Sequence, residues 1–192
     1  MPFEEDIKFI KELSLNNSNI AVADIGCGPN KFPDSIGVDI VERPGVVDFV
    51  HNLDIYPWPL KNNSFDVLIC NHLIEHIDDF VAMVKEFHRI LKPNGYIIAR
   101  TPHYSHVDSY VDPTHKRHMT MNSFNYFLEN TDRSMLYTDP LFIKDEITLS
   151  FGSGLYSHTA KFLSKISMRK YEKYWCRTFP ANTIYFRLKK LS

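Results

Sequence analysis

The amino-acid sequence predicts an α/β fold built around a mostly parallel sheet. Three observations carry that expectation. Short, continuously apolar runs such as AVADI, FDVLIC and YIIA read as strands buried on both faces, which parallel sheets require. Between such runs lie segments with apolar residues at helical spacing, as crossover connections would have. The 192 residues contain no repeat, low-complexity tract or linker composition, so residues 1–192 read as one domain.

The elements follow in order. Residues 4–13 place Ile7, Ile10 and Leu13 at helical spacing beside a charged face. NIAVADIGCG is a buried strand running into a glycine turn, SIGVDI a second strand and VVDFVHNL a third. YPWPL, with two prolines, is irregular. After the NNS turn, FDVLICN is a fourth strand. Residues 78–91 put Phe80, Val84, Phe87 and Leu91 on one helical stripe, and KPNG stops that helix. YIIART is a fifth strand. A histidine-rich stretch follows, then a short helix over MNSFNYFLEN, and two late strands, LFIKDEITLSF and NTIYFRLKKL.

Composition excludes several classes. A formal net charge of −1 gives no global attraction to nucleic acid or lipid. No apolar run is long enough for a membrane span, and MPFEEDIKFIKEL has no signal-peptide core. Three widely spaced cysteines do not make a disulfide framework, so a reducing, cytoplasmic location is expected.

The first functional signal is the loop in AVADIGCGPNK. Gly26 and Gly28 sit where backbone comes close to something, but a dinucleotide fingerprint needs a third glycine at position 31, which is Lys31. Only seven residues separate Gly28 from Ile36, too few for a crossover helix with its loops. The loop therefore suits a ligand without a pyrophosphate. Asp39 closes the second strand, where a carboxylate accepts hydrogen bonds from both ribose hydroxyls. Asp54 follows the third strand, near the base of such a ligand, and Asp24 lies near its other end. A nucleoside with a cationic, amino-acid-like tail fits three acids and no phosphate cradle, and S-adenosylmethionine (SAM) is that molecule.

ADIGCGPN, IGVDI, NSFDVLICNHLIEHI and HRILKPNGYIIARTP together resemble class I SAM-dependent methyltransferases, most closely the small prokaryotic members of the type 11 branch. Residues 19–130 carry the resemblance strongly and the rest loosely. It implies a Rossmann-like, seven-stranded, mostly parallel sheet whose last strand, NTIYFRLKKL, is antiparallel. It further implies SAM at the carboxyl ends of the first strands, with Asp24, Gly26, Cys27 and Gly28 on its methionine side. Asp39 and Ile40 would then meet the ribose, Leu53 and Asp54 the adenine, and Asn71 the sulfonium. The shortened first crossover departs from the family pattern and leaves SAM less covered there, a role open to the N-terminal helix.

The chain holds nine histidines, four of them (His103, His106, His115 and His118) in HYSHVDSYVDPTHKRH. This stretch and NHLIEH follow the fifth and fourth strands, where an acceptor must sit for in-line methyl transfer, so both are expected to wall its pocket. His72, Glu75 and His76 share one face if that segment is helical. The segment resembles the E-x-x-E-H of quinone-biosynthesis O-methyltransferases and small-RNA 3′-terminal ribose methyltransferases, with His115 in the place of their later histidine. That resemblance implies a divalent cation at His72, Glu75, His76 and His115. With His72 in place of the first carboxylate, a transition metal is favoured over magnesium. Two other readings stay open: His76, His115 or His72 as a metal-free general base, and histidines that are structural or only touch substrate. DPT reads as a turn. His88 reads as surface, and His51 and His158 have no chemical company.

Residues 103–130 and 152–178 read as substrate-side insertions. Over 161–177 there are six basic residues and one acidic. The segment reads as a helix packing its apolar side on the domain, or as a dock for an anionic substrate. The expected partner is a small molecule or glycan, with a hydroxyl as methyl acceptor. A nitrogen or RNA acceptor and a non-catalytic SAM-binding scaffold are the alternatives. No RNA-binding signature is present, and oligomeric state is not encoded in these patterns.

Overall fold

A computed structural model describes residues 4–15, 19–132 and 139–192. Its seven strands are β1 (Val22–Ile25), β2 (Ile36–Asp39), β3 (Phe49–Val50), β4 (Phe65–Asn71), β5 (Leu91–Pro102), β6 (Phe142–Leu149) and β7 (Thr183–Lys190). They form one sheet in the order β3-β2-β1-β4-β5-β7-β6. The first five are mutually parallel; β7 runs antiparallel between β5 and β6, as expected.

Successive strand residues point to opposite faces, and the core divides accordingly. Ala23, Ile25, Leu68, Cys70, Ile97 and Ala99 pack with helix α2 (Phe80–Ile90) through Val84 and Phe87. Val22, Val67, Ile69 and Ile98 face the other way, under Ile7, Ile10 and Leu13 of helix α1 (Glu4–Ser14). Asp79 caps α2, its carboxylate accepting from the Ala82 amide at 2.9 Å. At the far end Gly95 has no room for a Cβ, which would lie 3.0 Å from the Asp66 carbonyl. The KPNG stop thus also brings β5 against β4.

Between β1 and β2 there is no helix. The connection is instead tied at its root by the Gly26 and Cys27 amides, both donating to the Val38 carbonyl (2.8 and 3.1 Å).

Three expectations are corrected. MNSFNYFLEN forms one 3₁₀ turn, Asn125–Phe127, rather than a helix. Ser123 draws the Thr120 amide onto its hydroxyl at 3.0 Å, a local bond that competes with helix, while Phe124 and Phe127 are held by the core. His88 is half-buried, edge-on to Phe142 at 5.8 Å, and desolvation lowers its pKa. The basic segment is helical, as α4 (Leu155–Ile166), α5 (Met168–Lys170) and a π-turn over Tyr171–Trp175, but it faces the other way round. Ala160 and Ser164 are buried while Phe162 and Ile166 are exposed.

β6 ends at Leu149, opposite Ile184, and β5 ends at Pro102, opposite the neighbouring Thr183. The segments that follow both strands therefore leave from the same edge of the sheet, the carboxyl edge of β1, β2 and β4. Among the described residues no helix is long and apolar enough to cross a membrane.

Candidate active site

At that carboxyl edge the loop after β1 is shaped by glycine. Gly26 has φ 72°, and a Cβ there would meet the Leu73 side chain at 3.0 Å; Gly28 has φ 57°. Two cavities open around this loop and share Gly26, Asp39 and Leu73. The larger, about 570 Å³, is lined by Asp24, Cys27, Gly28, Asn71, His72 and Arg100 among others. The smaller, about 170 Å³, is lined by Ile40, His51, Leu53, Asp54 and His76. Every residue expected along the cofactor thus lines one or other of these two adjoining cavities. His51 joins them, contrary to expectation, with Nε2 2.9 Å from the Ile55 carbonyl.

The acids differ in state. Asp24 is buried and accepts from the Phe32 amide at 2.7 Å; burial pushes its pKa up to about 6 despite that bond and nearby Lys31. Burial, with Asp24 and Asp39 close by, pushes the Cys27 thiol up to about 11. Asp39 accepts from the Gly28 and Val41 amides, both at 2.9 Å, one per oxygen. Each oxygen has a second lone pair, and Arg43 lies 3.9 Å from Oδ1. Asp54 is already engaged: its oxygens accept from the Asp78 amide (2.7 Å) and Lys116 (3.2 Å).

Asn71 belongs to a network the sequence did not disclose. Its Oδ1 accepts from Arg100 at 3.2 Å, and the Arg100 guanidinium forks onto Asp6 at 2.7 and 2.8 Å. Asp6 is fully buried. Helix α1 is thereby pinned beside the larger cavity, on the side left open by the missing crossover helix.

The expected helix carrying His72, Glu75 and His76 is instead a turn. His72 adopts φ 52°, and the His76 amide donates to the Leu73 carbonyl at 2.8 Å. Helix begins only after the Asp79 cap. The turn still aims Glu75 and His76 at a common point, and the 103–118 loop folds back to bring His115 there. Ligand atoms of Glu75, His76 and His115 lie within 4.8 Å of one another. His72 is not part of that trio, although its Nδ1 is 3.3 Å from Glu75 Oε1. Glu75 is 1% exposed, and neither of its oxygens has a hydrogen-bond partner among the described residues; the His72 contact is close but misaligned.

Both imidazoles are locked in one tautomer by their neighbours. The Thr114 hydroxyl donates to Asp112 at 2.7 Å, so at 2.9 Å from His76 Nδ1 it must accept from that nitrogen. His115 Nδ1 faces the Ser109 carbonyl at 3.2 Å and must donate to it. Each ring thus turns its Nε2 toward Glu75, with His115 Nε2 4.0 Å from Glu75 Oε1. DPT is the expected turn, with Thr114 N donating to Asp112 at 2.8 Å, and it also orients His76.

Lys116 and Arg117 fasten the loop. The Lys116 amide donates to the Glu75 carbonyl at 2.8 Å and its ammonium pairs with Asp54 and Asp78. Arg117 donates to the carbonyls of Ile74, Ile77 and Asp78. The other histidines of the 103–118 stretch make local contacts. His103 is buried between Ser105 and Glu172, His106 lies beside Asp108, and His118 meets Ser109 under the Tyr110 ring. Arg117, Thr114, Arg100 and Asp6 were missed because a charged or hydroxyl residue reads as solvated until its distant partner is known.

The groove therefore lies at the carboxyl edge of a mostly parallel sheet in the order β3-β2-β1-β4-β5-β7-β6. Residues 23–99 match the family model described as a methyltransferase domain. The ubiquinone biosynthesis O-methyltransferase of Acinetobacter baumannii is 26% identical over 116 residues, covering 50% of this chain and 49% of that one. Protein MJ0638 of Methanocaldococcus jannaschii is 27% identical over 104 residues, covering 49% and 46%. The chain thus spans about half the length of these curated relatives. Among solved structures, a SAM-dependent methyltransferase from Archaeoglobus fulgidus superposes with TM-score 0.62 at 20% identity, covering 95% of this chain and 94% of that one. The YcgJ protein of Bacillus subtilis does so with TM-score 0.60 at 15% identity, covering 98% and 99%. The chain shares the fold of these solved structures, and its residues 23–99 are similar to a methyltransferase domain.

Proposed function

We propose that the protein transfers the methyl group of SAM to a hydroxyl oxygen of a small molecule or sugar, with a divalent transition metal held by Glu75, His76 and His115. In this reading the larger cavity takes the methionine end and the smaller the adenosine. Asp24 faces the ammonium, Asp39 accepts from the ribose hydroxyls and Asn71 lies near the sulfonium. Asp54 borders the adenine while anchoring Lys116. Three unpaired, buried cysteines support a reducing, cytoplasmic location.

The observation that carries the metal is Glu75. A buried carboxylate without hydrogen bonds is costly unless something cationic meets it. Here two imidazoles turn their Nε2 atoms toward it, each held through Nδ1 by a hydrogen-bond acceptor, as metal-ligating histidines are. One carboxylate and two imidazoles suit zinc, iron, manganese, cobalt or nickel better than magnesium, with His72 close enough to Glu75 to join. When bound, the metal would make an acceptor hydroxyl more acidic. The chain's own residues do the rest: Asp112 and Thr114 hold His76 in register, Arg117 and Lys116 clamp the loop, and Asp6 of α1 holds Arg100 beside Asn71.

Elemental analysis of protein purified without a histidine tag should give about one equivalent of a transition metal per chain. Chelation should abolish methyl transfer to lysate acceptors yet spare SAM binding by calorimetry. Full activity after exhaustive chelation would remove the metal and leave His76 Nε2 as the general base. Failure of SAM to bind at millimolar concentration would sink the methyltransferase reading itself.

A further inference from the structure

Helix α4 is turned inside out. Its inward side buries the small residues Ala160 and Ser164, with Leu163 half-buried beside them. On the opposite face Leu155, Phe162 and Ile166 are 80%, 64% and 61% exposed. Their spacing of seven and four places them on one stripe running the length of the helix. Tyr156 and, on the following π-turn, Tyr174 are also largely exposed. A helix that shows its largest apolar side chains to water loses stabilisation that a simple rotation would recover, so the stripe calls for an occupant.

The surrounding charge says which. Lys161, Lys165, Arg169, Lys170, Lys173 and Arg177 are all exposed, and none forms an ion pair among the described residues. The segment's acid, Glu172, is turned inward, accepting from the Met121 amide and the Asn122 side chain at 2.7 and 2.9 Å. The outward charge of the patch is therefore positive throughout, although the chain's net charge is only −1. A second copy would bring six further cations against these six, which disfavours self-association. Apolar side chains flanked by uncompensated Lys and Arg match the headgroup region of an anionic bilayer, where the stripe enters the acyl boundary and the cations meet lipid phosphates.

We infer that α4 and the π-turn form a docking surface for an anionic lipid bilayer. The surface lies at the same edge of the sheet as the groove, since β6, which leads into α4, ends beside β5. This inference does not depend on the metal or on the acceptor.

The test is sedimentation of the full chain with unilamellar vesicles. It should pellet with phosphatidylglycerol–phosphatidylcholine vesicles at low salt, and remain soluble with phosphatidylcholine alone. Phe162→Ser with Ile166→Ser should lower partitioning at least about tenfold, since two buried apolar side chains are lost. Lys161→Gln and Lys165→Gln should each lower it about fivefold. All four sites are exposed, so unchanged circular dichroism and SAM affinity will establish that the variants fold. Absence of pelleting with anionic vesicles would overturn the inference, as would pelleting that ignores the Phe162→Ser/Ile166→Ser pair. So would light scattering that shows a dimer dissolved by those substitutions, or binding to a polyglutamate peptide in preference to vesicles.

Discussion

Glu75, His76 and His115 come from two loops, and the two imidazoles are held from behind. The Thr114 hydroxyl has one proton and spends it on Asp112, so His76 can only donate to it. Thr114→Val removes this constraint at nearly constant volume, and metal affinity should fall about 10–100-fold, as for outer partners of metal-bound histidines. Competition against a metallochromic chelator reads this directly, and SAM affinity should not change. In the groove, Asp39→Ala removes an acceptor for two ribose hydroxyls. At about 1.5–3 kcal/mol for each charge-assisted bond, SAM affinity should drop by two orders of magnitude or more, measurable by calorimetry. The residue types Glu75, His76 and His115 were legible because few other roles gather such side chains beyond two adjacent strands. Thr114 and Arg117 were not: their meaning lies in carbonyls and a ring some 40 positions away, which only the returning loop supplies.

Among the elements, β1, β4 and β5 were read well because burial on both faces writes itself as unbroken apolar runs, whereas the third strand expected over VVDFVHNL shrinks to the exposed pair Phe49–Val50 at the sheet edge. The absent crossover helix was equally plain from the spacing of Gly28 and Ile36. Periodicity failed where tertiary packing decides: Asn125–Phe127 stays a single turn, and α4 shows its apolar stripe outward. Helix α1 was visible as a helix, yet its tie to the site was not, because Asp6 and Arg100 are 94 residues apart. Asp6→Ala would leave Arg100 without its fork partner in a largely buried position, its side chain 19% exposed. The expected loss is about 3 kcal/mol, seen as a lower urea midpoint at unchanged slope. SAM affinity should fall as well, since α1 would no longer hold Arg100 against Asn71. Asp6→Asn, which keeps one hydrogen bond, should lie between.

At the scale of the whole molecule the groove imposes a stability cost whose pH dependence has a definite sign. Most perturbed carboxyls here, including Asp48, Asp78, Glu86 and Asp112, are lowered by donors and stabilise the fold above their unfolded pKa values. Asp24 is opposite: burial raises it from 3.8 to about 6. The folded protein therefore binds this proton more tightly than the unfolded chain does. The stability it contributes is full below pH 3.8 and lost as pH rises through about 6. Asp24→Asn keeps an acceptor for the Phe32 amide and removes the charge. At pH 7 the variant should be more stable than the native chain by up to about 3 kcal/mol, from two pKa units at 1.36 kcal/mol each. Near pH 4 the difference should vanish. Saturating SAM should shrink the advantage at pH 7, because an ammonium beside Asp24 favours the ionised carboxyl and stabilises only the native chain. Urea denaturation at pH 4, 5.5 and 7, with and without SAM, measures all three. An advantage independent of pH would mean that the native Asp24 carboxyl ionises normally and does not set the charge of the groove.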